Sequence, residues 1–257
     1  MSGRMLVTGG TGYLGRVVAA GASTAGWDVV AVGSADVDVA ERRAVDALVR
    51  RVSPDVVVHT AYRKDGPDAQ RIIVDGTAHV ANATVATGAR LIHVSTDVVF
   101  DGRAGRPYRE DDLQTPSTEY GRFKATAERL VRTLAPAALV ARTSLIYGGP
   151  GGPMSVHEIA AHDPAATWYS DEVRCPVQVA DLAAAIVELA TSDLAGFLHV
   201  AGPEAVTRQQ FAELVTGRPV RHAPAPPDRP LDCRLDTSRA IAELASVLRG
   251  VSEVYGR

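Results

Sequence analysis

Tyr120 and Lys124 stand four residues apart in the string Tyr120-Gly121-Arg122-Phe123-Lys124. That spacing is one helical turn, so in a helix both side chains project from the same face. A free phenol, with a pKa of about 10, is a poor acid or base near neutrality. A cation held close to it stabilises the phenolate and draws the pKa toward the working range, which turns the pair into a proton donor for a carbonyl oxygen. The bland alternative for the same string is a packed tyrosine beside a solvated lysine. Support for the chemical reading comes from Leu91-Ile92-His93-Val94-Ser95-Thr96-Asp97, an apolar strand that ends in two hydroxyls. In a doubly wound sheet, ligands bind beyond the carboxyl ends of the strands, where Ser95 and Thr96 should lie and where a hydroxyl can hold a substrate carbonyl.

A second constellation points to a cofactor. Thr8-Gly9-Gly10-Thr11-Gly12-Tyr13-Leu14-Gly15 follows the first strand and opens the first helix. Gly9 at the strand exit permits a tight turn, Gly12 lets the backbone approach a pyrophosphate, and Gly15 lets helix and strand pack closely. The helix N-terminus adds amides and positive dipole charge. The second strand ends at Val32-Gly33-Ser34, with neither the acid that would clasp the ribose 2′-hydroxyl of NAD nor the arginine that would accommodate the NADP phosphate. Asp36 and Asp38 follow, Asp38 reading equally as the cap of the next helix, and Arg16 reads either as a partner for a 2′-phosphate or, more commonly for such a residue, as a solvated helix arginine. The residues leave the cofactor as NADP or NAD.

These groups must be positioned by elements, and the first half of the chain alternates short β-branched runs with longer amphipathic stretches, the pattern of parallel strands joined by crossover helices. Strands are expected at 4–8, 28–32, 55–60, 90–95 and 138–142, apolar on both faces as in a sheet covered by helices on both sides. Helices are expected at 12–25, at 40–51 behind a capping box of Asp38 and Glu41, at 68–87 and at 120–134. After Arg142 the run Gly148-Gly149-Pro150-Gly151-Gly152-Pro153 reads as loop. The stretch 148–171 holds no lysine or arginine to pair with phosphates, Arg174 being the nearest cation. Beyond it come a helix at 179–191, a strand at 196–200, a helix opened by the capping box Thr207 and Gln210, a proline-rich segment and a last helix at 236–248. The fold class expected is α/β, a Rossmann-like doubly wound parallel sheet, with residues 1–150 as the cofactor domain and 151–257 as a small substrate lobe that does not fold independently and from which some segments can return to the sheet.

Composition bounds the function. The 257 residues carry 27 basic and 30 acidic side chains, a net charge of −3, without the dense positive field of a nucleic-acid binder. Cys175 and Cys233 have no CxxC spacing, so neither a disulfide framework nor a zinc cage is read from them. His157 and His162 are five apart, off any single helical face, and no metal is assigned. The most apolar helical stretch, 179–190, is interrupted by Asp181 and Glu188 and is shorter than the roughly 20 residues of a membrane span. Residues 1–6 lack the apolar segment of a secretory signal. A cytoplasmic protein acting on a small molecule, with no nucleic-acid or membrane partner, is expected.

Taken together, the glycine string, the hydroxyls at the fourth strand end and Tyr120 with Lys124 resemble the extended short-chain dehydrogenase/reductases. Ser95-Thr96-Asp97-Val98-Val99-Phe100-Asp101-Gly102 is similar to the STDYVFDG segment of the dTDP-4-dehydrorhamnose reductase subgroup, and Ser170-Asp171-Glu172-Val173-Arg174-Cys175-Pro176 to its DQxGxPT turn. The resemblance implies that Thr96, Tyr120 and Lys124 form the catalytic set: the hydroxyl orients the carbonyl, the tyrosine gives its proton, and the lysine binds the nicotinamide ribose. It further implies a cofactor lined by Gly9, Thr11, Gly12, Tyr13, Leu14, Gly15, Asp38, Val39, Ala61, Tyr62, Ser95, Thr143 and Leu145. Four departures stand out: Val98 for a tyrosine, Leu145 for a tryptophan, His59-Thr60-Ala61-Tyr62 for an Asn-Ala-Ala-Ala string, and Asp75 for a relay asparagine. The implied activity is NAD(P)H-dependent reduction of a 4-keto sugar nucleotide by an enzyme that is a homodimer in this family. The alternatives are a sugar-nucleotide epimerase and a non-catalytic NAD(P)-binding regulatory subunit.

Overall fold

The computed structural model describes residues 3–256; Met1, Ser2 and Arg257 lie outside the described residues. The β-branched runs form one six-stranded parallel sheet of β1 (Arg4–Thr8), β2 (Asp28–Val32), β3 (Val56–His59), β4 (Arg90–Thr96), β5 (Leu139–Thr143) and β6 (Gly196–His199), in the order β6-β5-β4-β3-β1-β2. Every residue of β3 and the last four of β1 are buried, because helices cover both faces. β1 lies between β2 and β3, with Leu6 paired to Val30 on one side and to Val57 on the other. The winding reverses there, which opens a crevice at the carboxyl ends where Thr8 pairs with His59.

Four helices pack on this sheet: α1 (Tyr13–Thr24), α2 (Arg42–Val52), α3 (Gly76–Thr87) and α4 (Glu119–Leu134). In α2 the buried residues are Val45, Leu48, Val49 and Val52, the i, i+3, i+4, i+7 stripe of an amphipathic helix. Two expectations are corrected here. Asp38 and Glu41 form no capping box: α2 starts at Arg42 with no side-chain cap, because the Asp38 carboxylate accepts instead from the Ala40 amide at 3.0 Å and from Arg71 at 2.9 Å. The helix expected over 68–87 is not uniform, since Arg71–Asp75 form a π-turn before α3 begins.

The chain divides into two compact units that interleave along the sequence. The first comprises residues up to Ser95, Glu119–Ala141 and Ile186–Phe197; the second comprises Thr96–Thr118, Arg142–Ala185 and Leu198 onward. A single boundary after residue 150 therefore does not describe the chain. The stretch read as loop contains α5 (Val156–Ala161), opened by a capping box of Ser155 and Glu158. It is followed by α6 (Val179–Leu189) and by α7 (Arg208–Thr216), which has the expected Thr207–Gln210 box. The helix expected at 236–248 is shorter, α8 (Ser238–Glu243), and a further helix, α9 (Val251–Tyr255), lies beyond the expected bounds. Between them Arg249 is bound through its amide and guanidinium to Asp181, a tertiary hold that takes the backbone out of helical register. The second unit has its own core of Leu145, Tyr147, Trp168, Phe211 and Val251. Among the described residues no helix is long and apolar enough to cross a membrane.

Candidate active site

The glycine loop closes on the exit of β3. Gly9 has φ +73°, and a Cβ there would lie 2.6 Å from the Ala61 amide nitrogen, so only glycine fits the turn. A Cβ on Gly15 would lie 2.2 Å from the Gly9 carbonyl oxygen and 2.8 Å from Thr60 Oγ1. Gly12 differs: its added Cβ meets just the Gly9 oxygen, at 3.0 Å, so its other side is open. Two further positions in this cradle escape the three-glycine reading. Gly10 would strike Ala31, and Gly33, at the end of β2, would strike Thr11 Oγ1 at 2.3 Å. Gly12 caps α1 with no side chain, and the first turn carries no carboxylate of its own against the positive helix end. This cradle fits the pyrophosphate of a dinucleotide.

The cradle separates two glycine roles experimentally. Gly15→Ala forces α1 off the β3 exit and is expected to lower the Tm and to weaken NADPH binding about tenfold or more, on the 1–3 kcal/mol typical of overpacking. Gly12→Ala is expected to weaken binding with little change in Tm. Fluorescence titration and thermal melts of the two variants check this, and equal effects on both quantities in both variants would refute it.

α4 brings Tyr120 and Lys124 to one face, Tyr120 half-buried and Lys124 only 3% exposed. Lys124 Nζ donates to the Val94 carbonyl oxygen at 2.7 Å and to His93 Nε2 at 3.2 Å. Burial lowers its pKa to about 8, against the opposing pull of Glu128. The Tyr120 ring lies 6.2 Å from that of Tyr62, which is 60% exposed. At the end of β4, Ser95 Oγ is buried with no hydrogen-bond partner among the described residues, a polar atom awaiting a ligand or water. Asp38 is half-buried, while Val39 packs in the sheet core against Gly76. Asp75 is exposed at the end of the π-turn.

In the second unit, Thr96 Oγ1 accepts from the Val98 amide at 3.4 Å and donates to Asp97 Oδ1 at 3.2 Å. Asp97 is buried and in turn accepts from Ser144 Oγ at 2.6 Å, with Arg174 at 3.6 Å. Burial raises its carboxyl pKa, with Arg174 and Ser144 pulling the other way. Thr143 Oγ1 is buried with no hydrogen-bond partner among the described residues, and Leu145 packs inside the core rather than presenting its side chain to solvent.

Sequence reasoning missed a cluster of cations. Glu172, 3% exposed at its side chain, faces Arg174 at 3.2 Å, Arg208 at 3.9 Å and Arg229, whose Nη2 lies at 3.0 Å. Arg208 stacks over Trp168 at 5.1 Å and Arg229 over Tyr169 at 4.8 Å. The cation-free stretch 148–171 is thus supplied with guanidinium groups from later in the chain. Part of this was legible: Glu172 and Arg174 are two apart, hence on one side of an extended segment.

The family model described as the RmlD substrate binding domain matches residues 3–251. A dTDP-4-dehydrorhamnose reductase of Mycobacterium tuberculosis is 35% identical over 222 residues, covering 80% of this chain and 72% of its own. The spore coat polysaccharide biosynthesis protein SpsK of Bacillus subtilis is 31% identical over 221 residues, covering 82% and 78%. Among solved structures, a dTDP-4-dehydrorhamnose reductase from Bacillus anthracis in complex with NADP superposes with a TM-score of 0.88 at 24% identity, covering 100% of this chain and 98% of that one.

Proposed function

The chain belongs to the RmlD substrate-binding-domain family, and on that premise we propose that it is an NADPH-dependent oxidoreductase that reduces the 4-keto group of a nucleotide-linked sugar, dTDP-4-dehydrorhamnose being the leading candidate. The observation that carries the reading is the buried ammonium of Lys124, held by the Val94 carbonyl one helical turn from Tyr120. A cation kept out of water on the same helical face as a half-buried tyrosine is an arrangement for acid–base work rather than for cofactor binding alone.

NADPH suits the first unit. Of the acids that follow β2, Asp38 is paired with Arg71 at 2.9 Å, which offsets its charge toward a 2′-phosphate, and Asp36 is turned to the Gly33 amide at 2.8 Å. When bound, the nicotinamide supplies the hydride that reduces the carbonyl carbon. Tyr120 transfers its phenolic proton to the carbonyl oxygen, and the Lys124 charge stabilises the phenolate left behind. Thr96 is assigned the hydroxyl that orients the carbonyl, by a hydrogen bond and without transfer of its proton. Arg229, stacked on Tyr169 and 41% exposed at its side chain, is the cation of this cluster open to a diphosphate.

The test follows NADPH and NADH absorbance with dTDP-4-dehydrorhamnose, other keto sugar nucleotides and simple ketones. Turnover on a keto sugar nucleotide, faster with NADPH, is expected. Tight NADPH binding without turnover on any carbonyl would replace the reductase with a non-catalytic cofactor-binding role.

A further inference from the structure

Behind Lys124 lies a buried pair of imidazoles whose protonation can be worked out from their partners. Thr77 Oγ1 donates to the Ile73 carbonyl oxygen at 2.6 Å and so has no proton left for His59, 3.2 Å away. His59 Nε2 must therefore carry hydrogen, and its Nδ1 accepts from Thr8 Oγ1 at 2.7 Å. The His59 ring is thereby fixed as a neutral tautomer. His93 stacks on it with centroids 5.4 Å apart and planes inclined by 28°. His93 Nε2 faces the Lys124 ammonium, a donor without acceptor capacity, so this nitrogen holds a lone pair and the hydrogen sits on Nδ1. Both rings are almost wholly buried.

We propose that His93 is a positioning residue for Lys124: clamped by stacking on His59, its Nε2 lone pair takes one ammonium N–H while the Val94 carbonyl takes a second, leaving the third for the ligand. The inference rests on the reductase reading in assigning that third N–H to the cofactor ribose. Burial, together with the Lys124 charge and His59, keeps His93 well below its usual pKa, and burial followed by the Lys124 charge lowers that of His59 to about 3. Neither ring competes with the lysine for the proton. The titratable groups around Lys124 are His93 from β4, His59 from β3, and from its own helix Glu128 and, one turn earlier on the same face, Tyr120. The stack is not a proton wire, because both His59 nitrogens are committed to threonines and His93 Nδ1 has no partner among the described residues.

The sequence makes the test unusually clean, since Lys64 and Lys124 are its only lysines. Carbon-13 lysine labelling of the cofactor-free protein, with Lys64→Arg for assignment, reads the Lys124 titration directly. Losing an acceptor disfavours the charged amine, so His93→Leu is expected to lower the Lys124 midpoint by about one pH unit and to weaken NADPH binding at pH 8. His93→Gln, which restores an acceptor oxygen, should retain most of both. An unmoved midpoint and unchanged NADPH affinity in a folded His93→Leu protein would overturn the proposal, as would equal losses in the Leu and Gln variants. Should His93→Leu fail to fold, nitrogen-15 imidazole shifts of the unmutated protein decide the matter: an Nδ1–H tautomer supports the proposal, and an Nε2–H tautomer or an imidazolium refutes it. The two readings fail separately. A protein with the expected tautomer but no turnover sinks the reductase alone, and turnover with the wrong tautomer sinks the positioning role alone.

Discussion

Tyr120→Phe is expected to lower kcat about a thousandfold, within the 10²–10⁴ range of a lost general acid, while the NADPH dissociation constant stays near that of the unmutated protein. The substitution removes one oxygen and keeps the ring that faces Tyr62, so the loss falls on the chemical step. A thousandfold is about 4 kcal/mol of transition-state stabilisation, too much for a lost packing contact on a half-buried ring. Steady-state kinetics with a keto sugar nucleotide, alongside a fluorescence titration of NADPH, makes the measurement. A kcat within tenfold of the unmutated enzyme would remove Tyr120 from the proton transfer. The pH profile carries a second signature: the mechanism needs Lys124 charged, and its charge is lost as pH rises through about 8, so kcat should fall on the alkaline side. That lysine cannot be exchanged for arginine at no cost. Of 27 basic residues just two are lysines, and at position 124 a compact ammonium fits between a carbonyl and an imidazole where a planar guanidinium does not.

What the sequence could disclose was governed by range. The strands at 4–8 and 28–32 have the expected bounds, the first because it is buried from Met5 to Thr8 and so written in its own apolar residues, the second as an edge strand with only Val32 buried but with a β-branched run of its own. The pairing of Tyr120 with Lys124 was legible for the same reason, as a consequence of helical period. The two capping motifs show where this stops. Asp38-x-x-Glu41 and Ser155-x-x-Glu158 have the same form, yet only the second makes a box. Arg71, 33 residues on, draws the Asp38 carboxylate away, whereas the Glu158 carboxylate accepts from the Gly148, Gly149 and Ser155 amides and organises the glycine-rich run around itself. The cationic cluster is less legible still, since Arg229 reaches Glu172 across 57 residues and nothing local to either announces the other.

Glu172→Gln is expected to destabilise the protein by about 3 kcal/mol at pH 7, the low end of the 3–5 kcal/mol for breaking a buried ion pair. The substitution keeps the shape of the side chain but removes the charge that compensates three guanidinium groups, leaving Asp97 beside Arg174 as the cluster's remaining anion. The low end applies because Arg229 is 41% exposed at its side chain and can recover water, whereas Arg174, at 6%, and Arg208, at 15%, have little such recourse. Burial alone would raise the Glu172 pKa, but the hydrogen bond from Arg229 and the charges of Arg174 and Arg208 outweigh it and hold it below the ordinary carboxylate value. A group whose pKa is depressed on folding stabilises the folded state above its unfolded pKa of about 4.5 and loses that contribution as pH falls through the folded value. The difference between the unmutated protein and Glu172→Gln should therefore be widest at neutral pH and narrow progressively below about pH 4.5. Asp97, whose pKa is raised by burial and further by the Glu172 charge, has the opposite sign and is partly relieved in Glu172→Gln, so it reduces the pH dependence of the difference rather than adding to it. Urea unfolding at a series of pH values measures it, and a difference that stayed constant from neutrality into the acid range would mean that the cost of the substitution is one of shape and not of charge.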